Sequence, residues 1–323
     1  MRALRPSPLF PRVRQHAVAV LAACLATASM TGRASAQPVL RVADQKGLVK
    51  ALLEASHALD GLSYTIRWSE FPAASPLLQA LSADAVDTGI AGDGPFLFAY
   101  GAGQNVRATI AVLPRDGGRA VAIVVPAAST IHTVQDLAGH RIATTRGSIG
   151  HNLLLREEQS GDVPASRLAV AYLLPAEAAA ALHGGSIDAW ATWEPYISIE
   201  EKAGGRRIAD GRDLLANYAF QVSNTTAIAT KHVLLQDFYH RLSVAYDWGN
   251  AHPDAYAAIW SRQIGLPLDV SRKVAEEMRT HAAPIDDAII AAERVTIDSY
   301  RKGGALRSDG TDIAGAFDRS FTP

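Results

Sequence analysis

The 323-residue chain has a single cysteine, Cys24, and its apolar runs are short. The part of the protein after residue 36 contains no thiol, which excludes a disulfide, a cysteine nucleophile and a cysteine-based metal site there. The apolar run around residue 20 has about 12 residues, whereas a membrane-spanning helix needs about 20. The length is enough for two domains or one large one.

The chain after residue 36 also has no excess of basic residues. The first 36 residues hold five arginines and no acidic residue, so the remainder keeps 31 − 5 = 26 basic and 32 acidic residues, a net charge of −6. No basic run or aromatic-basic stripe is present, which excludes a nucleic-acid binder. An anionic ligand would have to be attracted by groups close to its site, because the net negative charge of the protein repels it.

Residues 1–36 predict a secretory signal peptide. Arginines come first, the short apolar run follows, and the small residues of "ASAQ" close the segment, which places the cut after Ala36. The alternative is a lipoprotein cut at "LAAC", which would leave a lipid anchor on Cys24. In both cases we expect the mature protein to be exported.

Strand-like and helix-like segments alternate along the chain. The run "VLRVAD" from Val39 precedes helical spacing in "GLVKALLEASHAL", and the alternation starts again after residue 122. This order favours a mostly parallel sheet with helices on both faces. From about Val222 onward the segments are mainly helical. The predicted fold class is therefore α/β with a helical C-terminal part.

One stretch of this pattern occurs twice, 100 residues apart. The segment from Arg41 reads "RVADQKG" and the segment from Arg141 reads "RIATTRG", and each leads from a strand into a helix. Two similar α/β lobes with a helical return predict a clamshell; the alternatives are two domains in series or a chance likeness of common βα units. The expected ranges are 37–119 for the first part of lobe 1, 120–221 for lobe 2 and 222–323 for the return to lobe 1.

The strand ends in this repeat predict an anion site. In an open α/β sheet, ligands bind beyond the carboxyl ends of the strands, where the following helices present free N–H groups and the positive end of their dipole. Glycine at positions 47 and 147 lets the backbone turn and lets a ligand oxygen approach it. We expect four junctions to surround one cleft: Gln45-Lys46-Gly47, Gly92-Asp93-Gly94-Pro95, Arg146-Gly147-Ser148 and Trp193-Glu194-Pro195-Tyr196.

Several of these residues also have a structural explanation. Ser148 and Asp93 are good helix caps, and Lys46 and Arg146 are equally well explained as solvated charges at strand ends. If the ligand carries an amine, Asp93 or Glu194 could accept it.

The aromatic residues have two explanations as well. Trp193 and Tyr196 offer flat apolar walls for an organic tail, but they also fit a packed core. Phe71, at the end of a strand, is a candidate for the cleft wall.

The stretches "EFPAASPLLQAL", "DTGIAGDGPFLFAYGAG", "RGSIGHNLLLR" and "IDAWATWEPY" resemble the aliphatic sulfonate-binding proteins of bacterial ABC transporters. That family is grouped with the taurine- and nitrate-type solute-binding proteins. The resemblance covers residues 38–215 well and the helical tail loosely. It implies a type II periplasmic-binding-protein clamshell that carries a small anionic ligand, an alkyl- or aryl-sulfonate, to ABC permease subunits. A periplasmic monomer without a cofactor is expected.

The family's ligand-contacting positions correspond to Gln45, Lys46, Gly92–Gly94, Gly147, Ser148 and Trp193–Tyr196. The chain differs from the family in three places. Ile149 replaces the second serine of a Gly-Ser-Ser turn, Glu194 replaces an aspartate, and the usual "PAGP" loop reads "PAASP". Taurine, nitrate and bicarbonate therefore remain alternative ligands.

Signs of catalysis are few. "RGSIG" differs from the Gly-x-Ser-x-Gly elbow of hydrolases because Arg146 occupies the first glycine position. The ten histidines lack the spacing of metal ligands. A thiamine-precursor enzyme of this fold class relies on a cysteine-rich motif that is absent here. We therefore expect a binding protein without a metal and not an enzyme.

Overall fold

The computed structural model describes residues 37–115, 117–161, 168–306 and 312–323. The predicted signal peptide and Cys24 lie outside the described residues. The chain from Val39 to Pro323 forms one compact unit. In the described ranges, no helix combines the length and the apolar character needed to cross a membrane.

The described ranges contain 11 strands and 11 helices, and the first seven of these elements build most of lobe 1. They follow the predicted alternation. In order, they are β1 (Val39–Gln45), α1 (Leu48–Ala55), β2 (Thr65–Phe71), α2 (Ala74–Ser82), β3 (Thr88–Gly92), α3 (Asp93–Gly101) and β4 (Arg107–Pro114).

Lobe 2 repeats this arrangement, and the chain then returns to lobe 1. The elements of lobe 2 are β5 (Val121–Val125), β6 (Arg141–Thr144), α4 (Ile149–Ser160), β7 (Ala169–Tyr172), α5 (Pro175–His183), β8 (Ala189–Trp193), α6 (Tyr196–Lys202) and β9 (Arg206–Asp210). The return comprises β10 (Ala219–Ser223), α7 (Thr225–Thr230), α8 (His232–Ala251), α9 (Pro253–Ile264), α10 (Leu268–Glu277), β11 (Thr280–Ala283) and α11 (Asp287–Lys302).

Each lobe has its own mixed sheet. The strand order is β11-β4-β10-β3-β1-β2 in lobe 1 and β7-β6-β8-β5-β9 in lobe 2. In lobe 1, β1 is parallel to β2 and β3, and in lobe 2, β6 is parallel to β7 and β8. The parallel strands direct their carboxyl ends, and the helices that follow, to one edge of each sheet.

The sequence repeat has a structural counterpart. The backbone N–H of Arg41 donates to the carboxylate of Asp87 at 2.7 Å, and the N–H of Arg141 donates to that of Asp188 at 2.8 Å. Each aspartate directly precedes the next parallel strand, so the same contact ties the start of β1 to β3 and the start of β6 to β8. The two lobes therefore share a local structure as well as a pattern of residues.

Both faces of each sheet are buried, which explains the apolar runs in the strands. In β1, Leu40 and Val42 join one core cluster, whereas Ala43 joins another. In β5, Ile123 and Val124 are likewise in different clusters.

The return to lobe 1 differs in detail from the expectation. We expected it from residue 222, but β10 already lies in the first sheet from Ala219. After Ser223 the chain turns into α7 (Thr225–Thr230), which the Asn224 side chain caps by accepting from the N–H of Ala227.

Candidate functional site

A cavity of about 460 Å³ lies between the two lobes, at the carboxyl ends of their parallel strands. Both lobes contribute to its wall, and so do the strand-to-helix junctions that the sequence singled out. The predicted site residues on the wall are Gln45, Lys46, Gly92, Arg146, Ser148, Trp193, Glu194 and Tyr196.

The other predicted site residues, Gly47, Phe71, Asp93, Gly94 and Gly147, are not part of the wall as the described residues form it. Gly47 has a φ of 66°, and a side chain there would meet Ile264 of α9 at 3.3 Å, so a helix covers it. Phe71 packs against the core of lobe 1. Both positions therefore contact other parts of lobe 1.

Gly94 and Gly147 lie where the lobes touch. A Cβ on Gly94 would be 2.6 Å from the carbonyl oxygen of Gly147, and a Cβ on Gly147 would be 3.0 Å from the ring of Phe98. Gly147 also has a φ of 73°, a conformation that favours glycine. The two glycines thus allow α3 of lobe 1 to approach the first turn of α4 in lobe 2.

Asp93 is buried and belongs to the start of α3. Its own carboxylate accepts from the N–H of Gly94, and its N–H donates to the carbonyl of Tyr218 at 3.0 Å. Burial raises the pKa of Asp93 to about 7. The first amides of α3 are thereby occupied, and Pro95 has none to offer, so this junction does not supply the anion donors that we expected from it.

Carboxylates occupy the starts of two other cavity helices in the same way. The Asp44 carboxylate accepts from the N–H groups of Val49 and Lys50 in α1. The Glu194 carboxylate accepts from the N–H and the hydroxyl of Ser198 in α6. A helix start that already holds a carboxylate is a poor site for a second anion.

The start of α4 is capped by a neutral group. The Ser148 hydroxyl accepts from the N–H of His151 at 3.2 Å, and Ser148 lies on the cavity wall. Within the described ranges, no acceptor contacts the N–H groups of Ile149 and Gly150, the first two residues of α4. The Ser148 hydroxyl also lies 3.4 Å from the Thr144 hydroxyl. This junction therefore has two amides without an acceptor, and of these two residues Ile149 lies on the cavity wall.

The turn before α4 is held in place by histidine. The N–H of Gly147 donates to Nδ1 of His151 at 3.0 Å, and Nε2 of His151 is 3.2 Å from the Tyr172 hydroxyl. Burial, together with the charge of Arg146, lowers the pKa of His151 to about 4. His151 is therefore neutral, and because its Nδ1 accepts, its proton is on Nε2.

The start of α2 is the lobe 1 counterpart of this site. Ala73 caps it without a side-chain hydrogen bond, and Ala73, Ala74 and Ser75 all lie on the cavity wall. Among the described residues, the N–H groups of Ala74 and Ser75 have no acceptor. Two helix starts that hold no carboxylate, one from each lobe, thus border the same cavity.

Two cations also lie on the wall. In the part of the chain that the structure describes, neither Lys46 nor Arg146 forms an ion pair with a carboxylate. The Arg146 guanidinium lies 5.2 Å from the centre of the Tyr172 ring. These cations border the same cavity as the two helix starts and favour an anion in it.

An ion network joins the lobes at another part of the wall. The Arg207 guanidinium of lobe 2 donates to Glu277 of α10 at 2.5 Å and to Glu194 at 3.2 Å. Burial and then the charge of Glu277 raise the pKa of Glu194 to about 8. Because the carboxyl oxygens of Glu194 already contact Arg207 and Ser198, they are not free acceptors for a ligand amine.

The remaining wall is largely apolar and aromatic. Trp193 and Tyr196 pack edge to face, with ring centres 5.8 Å apart, and both border the cavity. Such surfaces suit an uncharged tail attached to an anionic head. Further wall residues from lobe 1 are Leu48, Leu78, Ile90, Phe98, Val112, Tyr218, Trp260 and Met278.

Several of these wall residues were missing from the sequence-based site. The α2 junction could have been found from the "PAASP" loop, which was noted only as a difference from the family. Trp260 and Met278 lie more than 200 residues from Gln45 and carry no local signal. In the described ranges, no group of three or more histidine, cysteine, aspartate or glutamate residues is arranged to hold a metal.

Comparisons with known proteins agree with this geometry. The model of the NMT1/THI5-like family matches residues 60–256. A protein of Escherichia coli (strain K12) that carries the name of an aliphatic sulfonates-binding protein is 32% identical over 286 residues, which cover 87% of this chain and 89% of that protein.

Solved structures agree as well. The periplasmic aliphatic sulphonate binding protein SsuA from Escherichia coli is 30% identical, with a TM-score of 0.74 over 83% of this chain and 88% of that one. The alkanesulfonate-binding protein SsuA from Xanthomonas axonopodis pv. citri, bound to MOPS, is 31% identical, with a TM-score of 0.81 over 89% of this chain and 100% of that one.

More distant structures share only the fold. The desulfurization enzyme DSZB is 16% identical, with a TM-score of 0.58 over 84% of this chain and 94% of that one. The resemblance and the two-lobed fold expected from the sequence are both confirmed. The chain therefore belongs to the NMT1/THI5-like family, has the periplasmic binding protein fold, and has aliphatic sulfonate-binding proteins among its relatives.

Proposed function

We propose that the protein captures an organic sulfonate between its two lobes and delivers it to an ABC importer. The observation that carries this proposal is the pair of helix starts, α2 and α4, that hold no carboxylate and border one cavity from opposite lobes. Each offers backbone N–H donors, and Ser148 adds a hydroxyl. A sulfonate has three acceptor oxygens and stays ionised at ordinary pH, so fixed donors suit it without any proton transfer.

The cavity supports a ligand with a tail. Its volume of about 460 Å³ is about three times that of an apolar cavity of about 150 Å³ that binds benzene. The aromatic wall around Trp193 and Tyr196 gives the tail a surface. A nitrate or bicarbonate ion would leave most of this space unused. The Asp93 carboxylate is not on the wall, so it does not favour an amine-bearing ligand such as taurine.

Capture requires the lobes to move. Two segments connect them, between β4 and β5 and between β9 and β10, and rotation about these segments would open the cleft. The sulfonate head would dock at one helix start and bring the second lobe onto its remaining oxygens. Ligand binding would then shift the population toward the closed form, which the permease recognises.

Cellular location and partners follow from this function. The relatives are periplasmic solute-binding proteins, and the first 36 residues have the pattern of a signal peptide. We therefore place the mature protein in the periplasm, as a monomer that docks on the permease subunits of an importer.

Binding without turnover is part of the proposal. The described residues offer the site hydrogen-bond donors and cations but no thiol, and the only cysteine of the chain lies in the N-terminal segment. Ser148, one of the two serines on the wall that the described residues form, uses its hydroxyl as a helix cap, and the nearby His151 directs Nδ1 at a backbone amide. Neither residue is arranged as a nucleophile with its base.

A calorimetric titration with a graded ligand panel tests the proposal. The panel contains methanesulfonate, hexanesulfonate, MOPS, taurine, sulfate and nitrate. We expect micromolar or tighter binding of sulfonates, with affinity that rises from methanesulfonate to hexanesulfonate because the tail buries apolar surface. Binding of nitrate with no measurable affinity for any sulfonate would overturn the proposal. Mass spectrometry of the recovered ligand should show no chemical change.

A further inference from the structure

Tyr300 links the two lobes next to the start of α4. It belongs to α11 of lobe 1 and is fully buried. Its hydroxyl donates to the carbonyl oxygen of Ser148 in lobe 2 at 2.9 Å and lies 3.5 Å from that of Gly147. The contact therefore joins a lobe 1 side chain to the backbone of the turn that presents the free amides.

Neighbouring residues pack closely around the Tyr300 side chain and restrict its movement. Its ring packs edge to face on Phe98 at 4.9 Å and lies 5.7 Å from the ring of His151. A Cβ on Gly94 would be 2.1 Å from the Tyr300 hydroxyl, so only glycine fits there. The side chain is fixed by lobe 1 and by the turn itself.

The hydroxyl acts as a donor in this position. Both nearby backbone groups are carbonyl oxygens, which can only accept. Burial, and then the charges of Asp93 and Glu293, raise the pKa of Tyr300 well above its usual value. The phenol therefore keeps its proton.

The turn before α4 is thus held from two sides. Within lobe 2, the N–H of Gly147 donates to His151, and this hold does not depend on lobe 1. The hold by Tyr300 exists only while the lobes are in contact. Separating the lobes would expose the Tyr300 hydroxyl and the Ser148 carbonyl to water, where both find other partners.

We infer that Tyr300 is a positioning residue for the anion site, which fixes the first turn of α4 toward the cavity once the lobes meet. The inference rests on the proposed function. Tyr300 is not on the cavity wall as the described residues form it, so it acts through Ser148 and not by touching the ligand. It should lengthen the residence of a bound sulfonate without changing the first encounter.

Tyr300→Phe tests this role because it removes one hydroxyl and keeps the ring. Tyr246→Phe is the matched control: Tyr246 is also buried, but within the described residues its hydroxyl has no hydrogen-bond partner. Stopped-flow fluorescence with hexanesulfonate can follow binding through Trp193 and Trp260, which border the cavity. We expect Tyr300→Phe to raise the dissociation rate about five- to tenfold, with the association rate and the ligand-free melting temperature unchanged.

The alternatives give distinct results. Equal dissociation rates for wild type and Tyr300→Phe would overturn the inference while leaving the proposed function intact. If Tyr300→Phe lowers the melting temperature of the ligand-free protein but leaves the dissociation rate unchanged, Tyr300 has only a structural role. That result would also overturn the inference. If wild type and Tyr246→Phe both fail to bind any sulfonate of the panel, the proposed function fails and the inference falls with it.

Discussion

The two copies of the sequence repeat differ most where their first helices begin. In lobe 1, Asp44 at the end of β1 places its carboxylate on the amides of Val49 and Lys50. The position 100 residues later is Thr144, whose hydroxyl donates to the carbonyl of Ala191 at 3.0 Å. No carboxylate then reaches the first amides of α4.

This difference is the reason why we propose one copy as an anion site and the other as a scaffold. The backbone arrangement is similar, with a glycine of positive φ at Gly47 and at Gly147. What changes is the group that occupies the helix start. A carboxylate already supplies the negative charge that the amides attract, whereas a hydroxyl leaves room for the charge of a ligand.

The largest effect should come from giving α4 the kind of cap that α1 has. Ser148→Asp places a carboxylate at the N-cap, which caps a helix about as well as serine does, so the fold should persist. Two charges about 4 Å apart repel by about 4 kcal/mol near a protein surface, so sulfonate affinity should fall about 1000-fold. Calorimetric titration with hexanesulfonate measures the loss.

Ser148→Asn separates charge from size in that experiment. Asparagine caps helices as well as aspartate does but is neutral, so it should retain much more affinity. If both variants lose binding equally, steric exclusion and not charge would account for the loss. If Ser148→Asp binds as tightly as wild type, the start of α4 is not the anion site.

The sequence predicted the two-lobed fold better than it predicted which junctions remain open to a ligand. Strand and helix periods, together with the repeated Arg41 and Arg141 segments, predicted two α/β lobes that face one cleft. Glycine signalled a sharp turn at position 47 but could not reveal that Ile264, more than 200 residues away, covers it. Whether Gly147 is free for a ligand depends likewise on Phe98 of the other lobe, a contact that no local pattern encodes.

Two features of the sequence bear on which helix amides remain free. Asp44 lies one position before the predicted junction, at the spacing from which a carboxylate reaches the second and third amides of α1. The "PAASP" loop, with no glycine or charge, shows few of the features that mark an anion site, although its amides at Ala74 and Ser75 are open. Tertiary contacts decide these cases, because they determine which amides remain free.

The two helix starts should also respond to pH in opposite directions. Burial, against hydrogen bonds from Lys50, Val49 and Gln45, raises the pKa of Asp44 from 3.8 to about 6. The folded state thus keeps a proton that the unfolded state releases, and stability is lost as the pH rises from about 4 to about 6. The pKa of His151 is lowered from 6.5 to about 4, so its contribution to stability is lost as the pH falls from about 6.5 to about 4.

Each shift of about two pH units corresponds to about 3 kcal/mol in the free energy of unfolding. Denaturant unfolding between pH 4 and pH 7 checks this with Asp44→Asn and His151→Gln, each compared with wild type. The difference for Asp44→Asn should shift in favour of the variant as the pH rises, and the difference for His151→Gln as the pH falls. If either difference in the free energy of unfolding does not change with pH, or if both change in the same direction as the pH rises, the assignment is contradicted.

The smallest expected effect concerns the Ser148 hydroxyl itself, which has two tasks. It caps α4 through the N–H of His151, and we propose that its proton, which lies near the Thr144 hydroxyl, is donated to a ligand. Ser148→Ala should weaken sulfonate binding by about 1–2 kcal/mol and should also destabilise the protein by about 1 kcal/mol, because alanine is a poor cap.

Ser148→Gly distinguishes the two tasks. Glycine is tolerated at an N-cap with a loss of only a few tenths of a kcal/mol, yet it has no hydroxyl to donate. If donation to the ligand matters, both variants should lose the same affinity while differing in melting temperature. If Ser148→Gly instead keeps the wild-type affinity, the hydroxyl acts only through the helix, and the backbone amides of α4 alone distinguish it from the carboxylate-capped start of α1.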